Sequence, residues 1–324
     1  MKINEKLIDY TLSKIERLKS LSHNTEGIFD IIFFRYYGTK IAIVCKNIGM
    51  VPNTVTFISL GIGLIAGHFF YYQNIWLNIL GACLWTISMT LDFTDGSLAR
   101  MTNKFSKFGR ILDGVADNIR VITIYFHVCL RLHLQMGWWW IWIIAAIAGY
   151  FHSLQNALSD YYRNAYLYFV LDPQKEVDLS ISAGGKRGKI DNSSHIHSDY
   201  KLLNWREHFI KKVFLLIYIC YTALQESVSS TFIQLLQHIN EKFKDNIPDW
   251  LREKYRELNQ PLLWYYKILM MNTRMLVFFI CLFMNAIPFF FYFQIIVLNI
   301  LMVIVLLKQK STNLKLIKVI ENVA

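Results

Sequence analysis

Six long apolar runs most strongly limit what this chain can fold into. They cover residues 55–72, 75–91, 111–130, 138–158, 268–287 and 289–307. Each is close to the twenty or so apolar residues that a helix needs to cross the hydrocarbon core of a bilayer. Because 54% of the residues are hydrophobic, the chain has more apolar surface than one water-soluble core can cover. The runs therefore predict an all-α, polytopic membrane protein with six transmembrane helices.

The basic residues predict how the spans are oriented. Thirty of the 34 lysines and arginines lie in residues 1–50, 93–110, 161–266 and the tail after residue 307. Loops rich in lysine and arginine stay on the cytoplasmic side. We therefore expect an integral protein of the cytoplasmic membrane, with both termini and these loops in the cytoplasm. The net charge of +11 reflects this orientation, and no nucleic-acid partner is expected.

The same pattern divides the chain into four parts. Residues 1–50 predict a cytoplasmic segment with an amphipathic helix on the membrane surface, and residues 51–160 hold the first four spans. Residues 161–266 form a cytoplasmic insert between spans four and five, and residues 267–324 hold the last two spans and a basic tail. Within the insert, the apolar residues 213–223 are too few to cross a bilayer and predict an interfacial or packed helix.

Four aspartates at the border between the second and third spans form the main chemical signal. Asp92 and Asp95 are three residues apart, and Asp113 and Asp117 are four apart, so each pair shares one face of a helix. Carboxylates at the edge of a bilayer are costly unless a positive charge neutralises them. Their hard oxygen ligands suit Mg²⁺ or Mn²⁺. The four acids therefore predict a divalent-cation site, with the active site on the cytoplasmic side.

The acids belong to a longer pattern of fixed residues, D-x2-D-G-x2-A-R-x8-G-x3-D-x3-D. It is carried by Asp92, Asp95, Gly96, Ala99, Arg100, Gly109, Asp113 and Asp117. This pattern resembles the signature of the class I CDP-alcohol phosphotransferases, and every fixed position and gap fits. The small residues on the same helix faces leave room for a bulky group to approach the backbone.

The resemblance implies a role for each residue of the pattern. Two divalent cations, Mg²⁺ or Mn²⁺, would be held by Asp92, Asp95 and Asp113, and Asp117 would be the general base and share a cation. The cytidine and phosphates of the donor would lie against Gly96, Ala99, Gly109 and Arg100. Residues 52–56 resemble the entry to the family's first span, which adds Asn53 and Thr56 to the donor site. The alternative for Asn53 is an ordinary helix cap.

The resemblance also implies the activity. A phosphatidyl group would pass from a CDP-linked lipid, CDP-diacylglycerol, to a polar alcohol with release of CMP, in phospholipid biosynthesis. Residues 159–165 are similar to a segment of phosphatidylinositol-phosphate and phosphatidylglycerol-phosphate synthases. Arg163 and Arg274 would then bind the phosphate of inositol phosphate or glycerol phosphate. The alternative is that both arginines reach lipid headgroups. The partners would be these substrates, membrane lipids and, as is common in the family, a second copy of the chain.

Two other functions use aspartates in a membrane. A membrane prenyltransferase binds Mg²⁺ and a diphosphate through acidic motifs, but it would need two widely separated motifs, and no second one is present outside residues 92–117. A cation transporter places acids within its spans without catalysis, yet it has no need of small residues at these offsets. Metal-dependent CMP release would separate the enzyme from the transporter.

Overall fold

The computed structural model describes residues 33–104, 107–170, 200–201, 204, 209–243 and 247–322. Within these ranges the regular structure is helical and contains no strand. The helices are α1 (Arg35–Asn47), α2 (Pro52–Phe69), α3 (Ile75–Thr102), α4 (Lys107–Met136), α5 (Ile141–Val170), α6 (Phe209–Ser227), α7 (Ser230–Phe243), α8 (Asp249–Asn259), α9 (Leu263–Leu269), α10 (Met271–Phe283), α11 (Ile287–Tyr292) and α12 (Leu298–Asn322). A 3₁₀ turn, Gln260–Leu262, joins α8 to α9, and a π-helical turn, Phe293–Val297, joins α11 to α12.

Four helical stretches in the described part of the chain are long and apolar enough to cross a membrane. They are Ile75–Thr102, Ile141–Val170, Asp249–Phe283 and Ile287–Asn322. The all-α prediction is thereby confirmed for the described residues, and the four stretches support an integral membrane protein. The first and third predicted spans fall in α2 and α4, which are not among these four stretches. The count of six spans stays a prediction.

Helix α2 is fixed between α3 and α4, and small residues make this packing possible. The hydroxyl of Ser59 donates to the Ser88 carbonyl at 2.8 Å, and the hydroxyl of Ser88 donates to the Ser59 carbonyl at 2.7 Å. One turn further along α2, a Cβ on Gly63 would lie only 2.9 Å from side-chain atoms of Ser88 and Arg120. Glycine lets the helices approach this closely. The contacts therefore set the register of the two helices that carry the aspartates.

Helix α1 lies in the described part of the N-terminal segment, residues 33–50. It packs against α3, and a Cβ on Gly38 would lie 3.1 Å from the Thr90 carbonyl oxygen. Residues 1–32, which include most of the predicted interfacial helix, lie outside the described residues. The contact of this segment with the membrane surface stays a prediction.

The described part of the predicted insert is a set of helices packed on α5 and α12. Helix α5 continues to Val170, so the predicted boundary at residue 160 falls inside a helix. Aromatic rings join the layers: the centroids of Phe169 and Tyr255 are 4.0 Å apart, and those of Tyr162 and Tyr266 are 5.3 Å apart. Helix α6 includes residues 213–223 and packs against α4 and α5. Residues 171–199 of the insert lie outside the described residues.

Candidate active site

The structure brings three of the four aspartates together. Asp92 and Asp95 lie near the end of α3, and Asp113 lies near the start of α4. One carboxylate oxygen from each of the three lies within 4.8 Å of the others. Asp95 is buried, and the other two are partly buried. The end of α3 and the start of α4 therefore place three carboxylates around one point.

The surroundings of these acids fit a divalent cation. Oδ1 of Asp113 is buried, and no hydrogen-bond donor in the described structure reaches it. A buried carboxylate oxygen without a partner is strongly unfavourable, and a cation would satisfy it. Oxygens bound to one Mg²⁺ at about 2.1 Å lie up to about 4.2 Å apart. The three carboxylates would therefore need only a small closing movement to share an ion.

Thr56 of α2 supports the cluster from behind. Its hydroxyl donates to Oδ2 of Asp95 at 2.5 Å, which fixes one oxygen of that carboxylate. The sequence predicted Thr56 as part of the donor site; in the structure its hydroxyl bonds Asp95, and its contact with the donor stays a prediction. Asn53 is partly buried in the first turn of α2. The alternative role for Asn53 as a helix cap is wrong, because the helix begins at Pro52 and its N-cap residue is Val51.

Arg120 of α4 is a residue that sequence reasoning missed. Its guanidinium is fully buried and bonds two carboxylates on different helices. Nη2 donates to Oδ1 of Asp92 at 2.5 Å, and Nη1 donates to Oδ1 of Asp117 at 2.8 Å. The Asp117 side chain remains 48% exposed. Arg120 therefore joins the predicted general base to the other acids, and its spacing of three residues from Asp117 was the available signal.

Open space lies beside the acids where the motif has small residues. Among the described residues, a Cβ on Gly96 would have only the guanidinium of Arg100 within 4 Å, at 3.8 Å. Arg100 is exposed and donates to the Ser97 hydroxyl at 3.1 Å. Ala99 and Gly109 are partly buried. A substrate group can therefore reach the backbone of α3 here.

Arg163 lies on α5 at the edge of this region. Its guanidinium is 3.6 Å from Oδ1 of Asp160, and the Tyr221 hydroxyl of α6 donates to Oδ2 of Asp160 at 2.9 Å. Burial and the neighbouring Asp160 carboxylate raise the pKa of Tyr221, so its hydroxyl keeps the proton that it donates. Arg163 therefore belongs to a polar group between α5 and α6 that includes Tyr221, which sequence reasoning did not find.

The comparison with protein families agrees with this arrangement. Residues 49–163 match the family model described as CDP-alcohol phosphatidyltransferase. The matched residues include all eight fixed positions of the motif. Over these residues the chain is similar to the CDP-alcohol phosphatidyltransferases.

Curated relatives match between 28% and 54% of the chain. The archaetidylinositol phosphate synthase of Pyrococcus horikoshii is 37% identical over 91 residues, which are 28% of this chain and 47% of that protein. The bifunctional IPC transferase and DIPP synthase of Aquifex aeolicus is 27% identical over 167 residues, 51% of this chain and 35% of that protein. The CDP-diacylglycerol–glycerol-3-phosphate 3-phosphatidyltransferase of Yersinia enterocolitica is 26% identical over 178 residues, 54% of this chain and 85% of that protein. The chain spans less than half the length of the first two relatives. No solved structure gives a significant match.

Arg274, the second predicted acceptor residue, lies on α10, outside the matched residues 49–163. It is fully buried and donates to Oδ1 of Asn156 at 2.8 Å and to Oε1 of Gln155 at 2.6 Å. Gln155 in turn donates to Oδ1 of Asn299 on α12 at 2.7 Å. The structure therefore places Arg274 in a buried polar cluster between α5, α10 and α12, and its partners are neutral amides.

Proposed function

We propose that the protein transfers a phosphatidyl or similar substituted phosphoryl group from a CDP-activated lipid to a polar alcohol, with release of CMP. The donor would be CDP-diacylglycerol, and the acceptor would be inositol phosphate or glycerol phosphate. The convergence of Asp92, Asp95 and Asp113 within the family motif carries this proposal. The names of the relatives from Pyrococcus and Yersinia support the class of reaction.

The acidic cluster would hold two divalent cations, Mg²⁺ or Mn²⁺. Asp92, Asp95 and Asp113 would be the main ligands, and Asp117 would share one cation. The unpartnered, buried oxygen of Asp113 supports this assignment. Bound cations would neutralise charge on the diphosphate and make CMP a better leaving group.

The chain's own residues would orient the substrates and move one proton. Asp117, which is half exposed, would accept the proton of the acceptor hydroxyl as that oxygen bonds to the lipid-bearing phosphorus. The bond from this phosphorus to the bridging oxygen breaks at the same time, and CMP leaves with the electron pair. The space beside Gly96, Ala99 and Gly109 would take the cytidine, with Arg100 and Asn53 beside the donor. Arg163 and Arg274 would bind the phosphate of the acceptor.

In the membrane, we propose six spans, with both termini and the acidic cluster on the cytoplasmic side. The two helices that add to the four long apolar stretches are α2 and α4. Both expose large apolar side chains, including Ile65 and Phe57 on α2 and Ile122 and Phe126 on α4. Such faces are favourable only against lipid or another protein. Helix α1 would lie at the membrane surface, and a homodimer remains a further prediction from the family resemblance.

The test is a reaction of purified protein with CDP-diacylglycerol, Mg²⁺ and a panel of alcohols. We expect CMP release that depends on the metal, and a new phospholipid identified by its mass. The Asp117→Asn variant should still bind Mn²⁺ and donor but should lose turnover. Normal turnover by this variant would show that Asp117 is not the base. Consumption of a prenyl diphosphate, or cation flux without CMP release, would instead support one of the two alternative functions.

A further inference from the structure

We propose that Arg120 is a positioning residue that holds Asp92 and Asp117 by one oxygen each and turns their other oxygens toward the metal and substrate. This inference rests on the proposed function. It concerns a residue outside the eight fixed positions of the motif.

The contacts of Arg120 match this role. Its two terminal nitrogens bond Oδ1 of Asp92 and Oδ1 of Asp117, which lie on α3 and α4. Thr56 holds one oxygen of Asp95 in the same way. Three of the four acids therefore have one oxygen held by a side-chain donor of the chain. Carboxylates that bind metals are commonly oriented by such outer hydrogen bonds, and their loss typically weakens metal binding or activity.

Arg120 is also confined to this position. Its side chain is fully buried, and its Cγ and Cδ lie where a Cβ on Gly63 would be only 2.9 Å away. A guanidinium is always charged and presents its donors in a rigid fork, so it can bond two carboxylates at once. A lysine has a single charged nitrogen on a flexible stem, so it would hold the two carboxylates less rigidly. Arg120 therefore combines a fixed geometry with partial neutralisation of the acids.

The experiment compares Mn²⁺ binding to full-length purified protein without substrate, measured by electron paramagnetic resonance. The variants are Arg120→Gln and Arg120→Lys. Arg131→Gln is the matched control, because Arg131 is also buried on α4 but donates to the carbonyls of Phe70 and Tyr72 and to the side chain of Asn285. We expect Mn²⁺ affinity to fall about 10- to 100-fold in Arg120→Gln. Arg120→Lys should be intermediate, and Arg131→Gln should bind as the wild type does.

Thermal melting identifies the variants that are folded. Unchanged Mn²⁺ affinity in folded Arg120→Gln would overturn the proposal. Tighter binding would also overturn it, because Arg120 would then compete with the metal rather than orient its ligands. If Arg120→Gln does not fold, Arg120→Lys decides, and wild-type affinity in that variant counts against the positioning role. Mn²⁺ binding by a wild-type protein that releases no CMP from any donor would overturn the proposed function and leave the result for Arg120 standing.

Discussion

Replacing Gly63 with alanine should disturb the acidic cluster from a helix that carries none of its carboxylates. The new Cβ would lie 2.9 Å from Cγ and Cδ of Arg120 and from the Ser88 hydroxyl. Carbon atoms in contact prefer about 3.5–4.0 Å, so the neighbours must retreat by roughly 0.6 Å or more. Arg120 cannot retreat freely, because its guanidinium is bonded to Asp92 and Asp117. The displacement should therefore reach both carboxylates.

The expected cost combines two opposing effects. Extra atoms forced into a packed site cost about 1–3 kcal/mol, and alanine gains up to about 1 kcal/mol over glycine in a helix. Gly63→Ala should therefore lose about 0–2 kcal/mol of stability. Gly61→Ala is the matched control on the same helix, because a Cβ there meets no described atom within 4 Å. Gly61→Ala should gain only the stability that alanine adds over glycine in a helix. The free energies of unfolding of the two variants should therefore differ by about 1–3 kcal/mol.

Melting and turnover, measured in one detergent, test this prediction. The nine tryptophans provide an intrinsic fluorescence signal. With about 2–4 °C for each kcal/mol in a large domain, Gly63→Ala should melt about 2–12 °C below Gly61→Ala. Its rate of CMP release from CDP-diacylglycerol should fall at least about tenfold, as for loss of an outer-shell contact, whereas Gly61→Ala should keep the wild-type rate. Equal melting temperatures and equal rates in the two variants would refute the reasoning.

Three further variants test other parts of the site. Gly96→Ala should fold normally, because the new methyl group has room, but should raise the KM for the CDP-linked donor. An unchanged KM would show that the nucleotide does not lie against Gly96. Thr56→Val should lower turnover about tenfold, because the Asp95 carboxylate loses the hydrogen bond that orients it, and Thr56→Ser should keep the wild-type rate. Equal rates in the two variants would show that the hydroxyl does not orient Asp95 for turnover. Tyr221→Phe should raise the KM for a phosphorylated acceptor, because Asp160 loses its fixed orientation; a change confined to donor KM would contradict this.

The acidic cluster could be predicted because its geometry is mostly local. Residues three or four apart share a helix face, so the two pairs of aspartates were aligned before any packing was known. Only four residues separate α3 from α4, and so short a connection keeps the two helix ends close. The prediction therefore needed no detail of the bundle beyond two helices and a turn.

The residues that orient the acids could not be found in this way. Thr56 and Asp95 are 39 residues apart, and Asp92 and Arg120 are 28 apart. These contacts depend on how closely α2 approaches α3 and α4, which Gly63 and the paired serines determine. A single arginine within an apolar run is usually explained by contact with lipid headgroups. Only the spacing of Arg120 from Asp117 gave a local signal for a different role.

Two of the buried arginines, Arg120 and Arg274, differ in a way that bears on the acceptor. Arg120 bonds two carboxylates, so its charge is neutralised within the protein. Arg274 bonds the oxygens of two neutral amides, which orient the guanidinium but do not cancel its charge. An uncompensated buried charge is unfavourable until an anion approaches it. If the acceptor reaches this cluster, we therefore expect a phosphorylated alcohol to be used in preference to a neutral one. Arg274→Gln should reduce that preference in a competition between inositol phosphate and inositol, and an unchanged preference would assign acceptor selection to other residues.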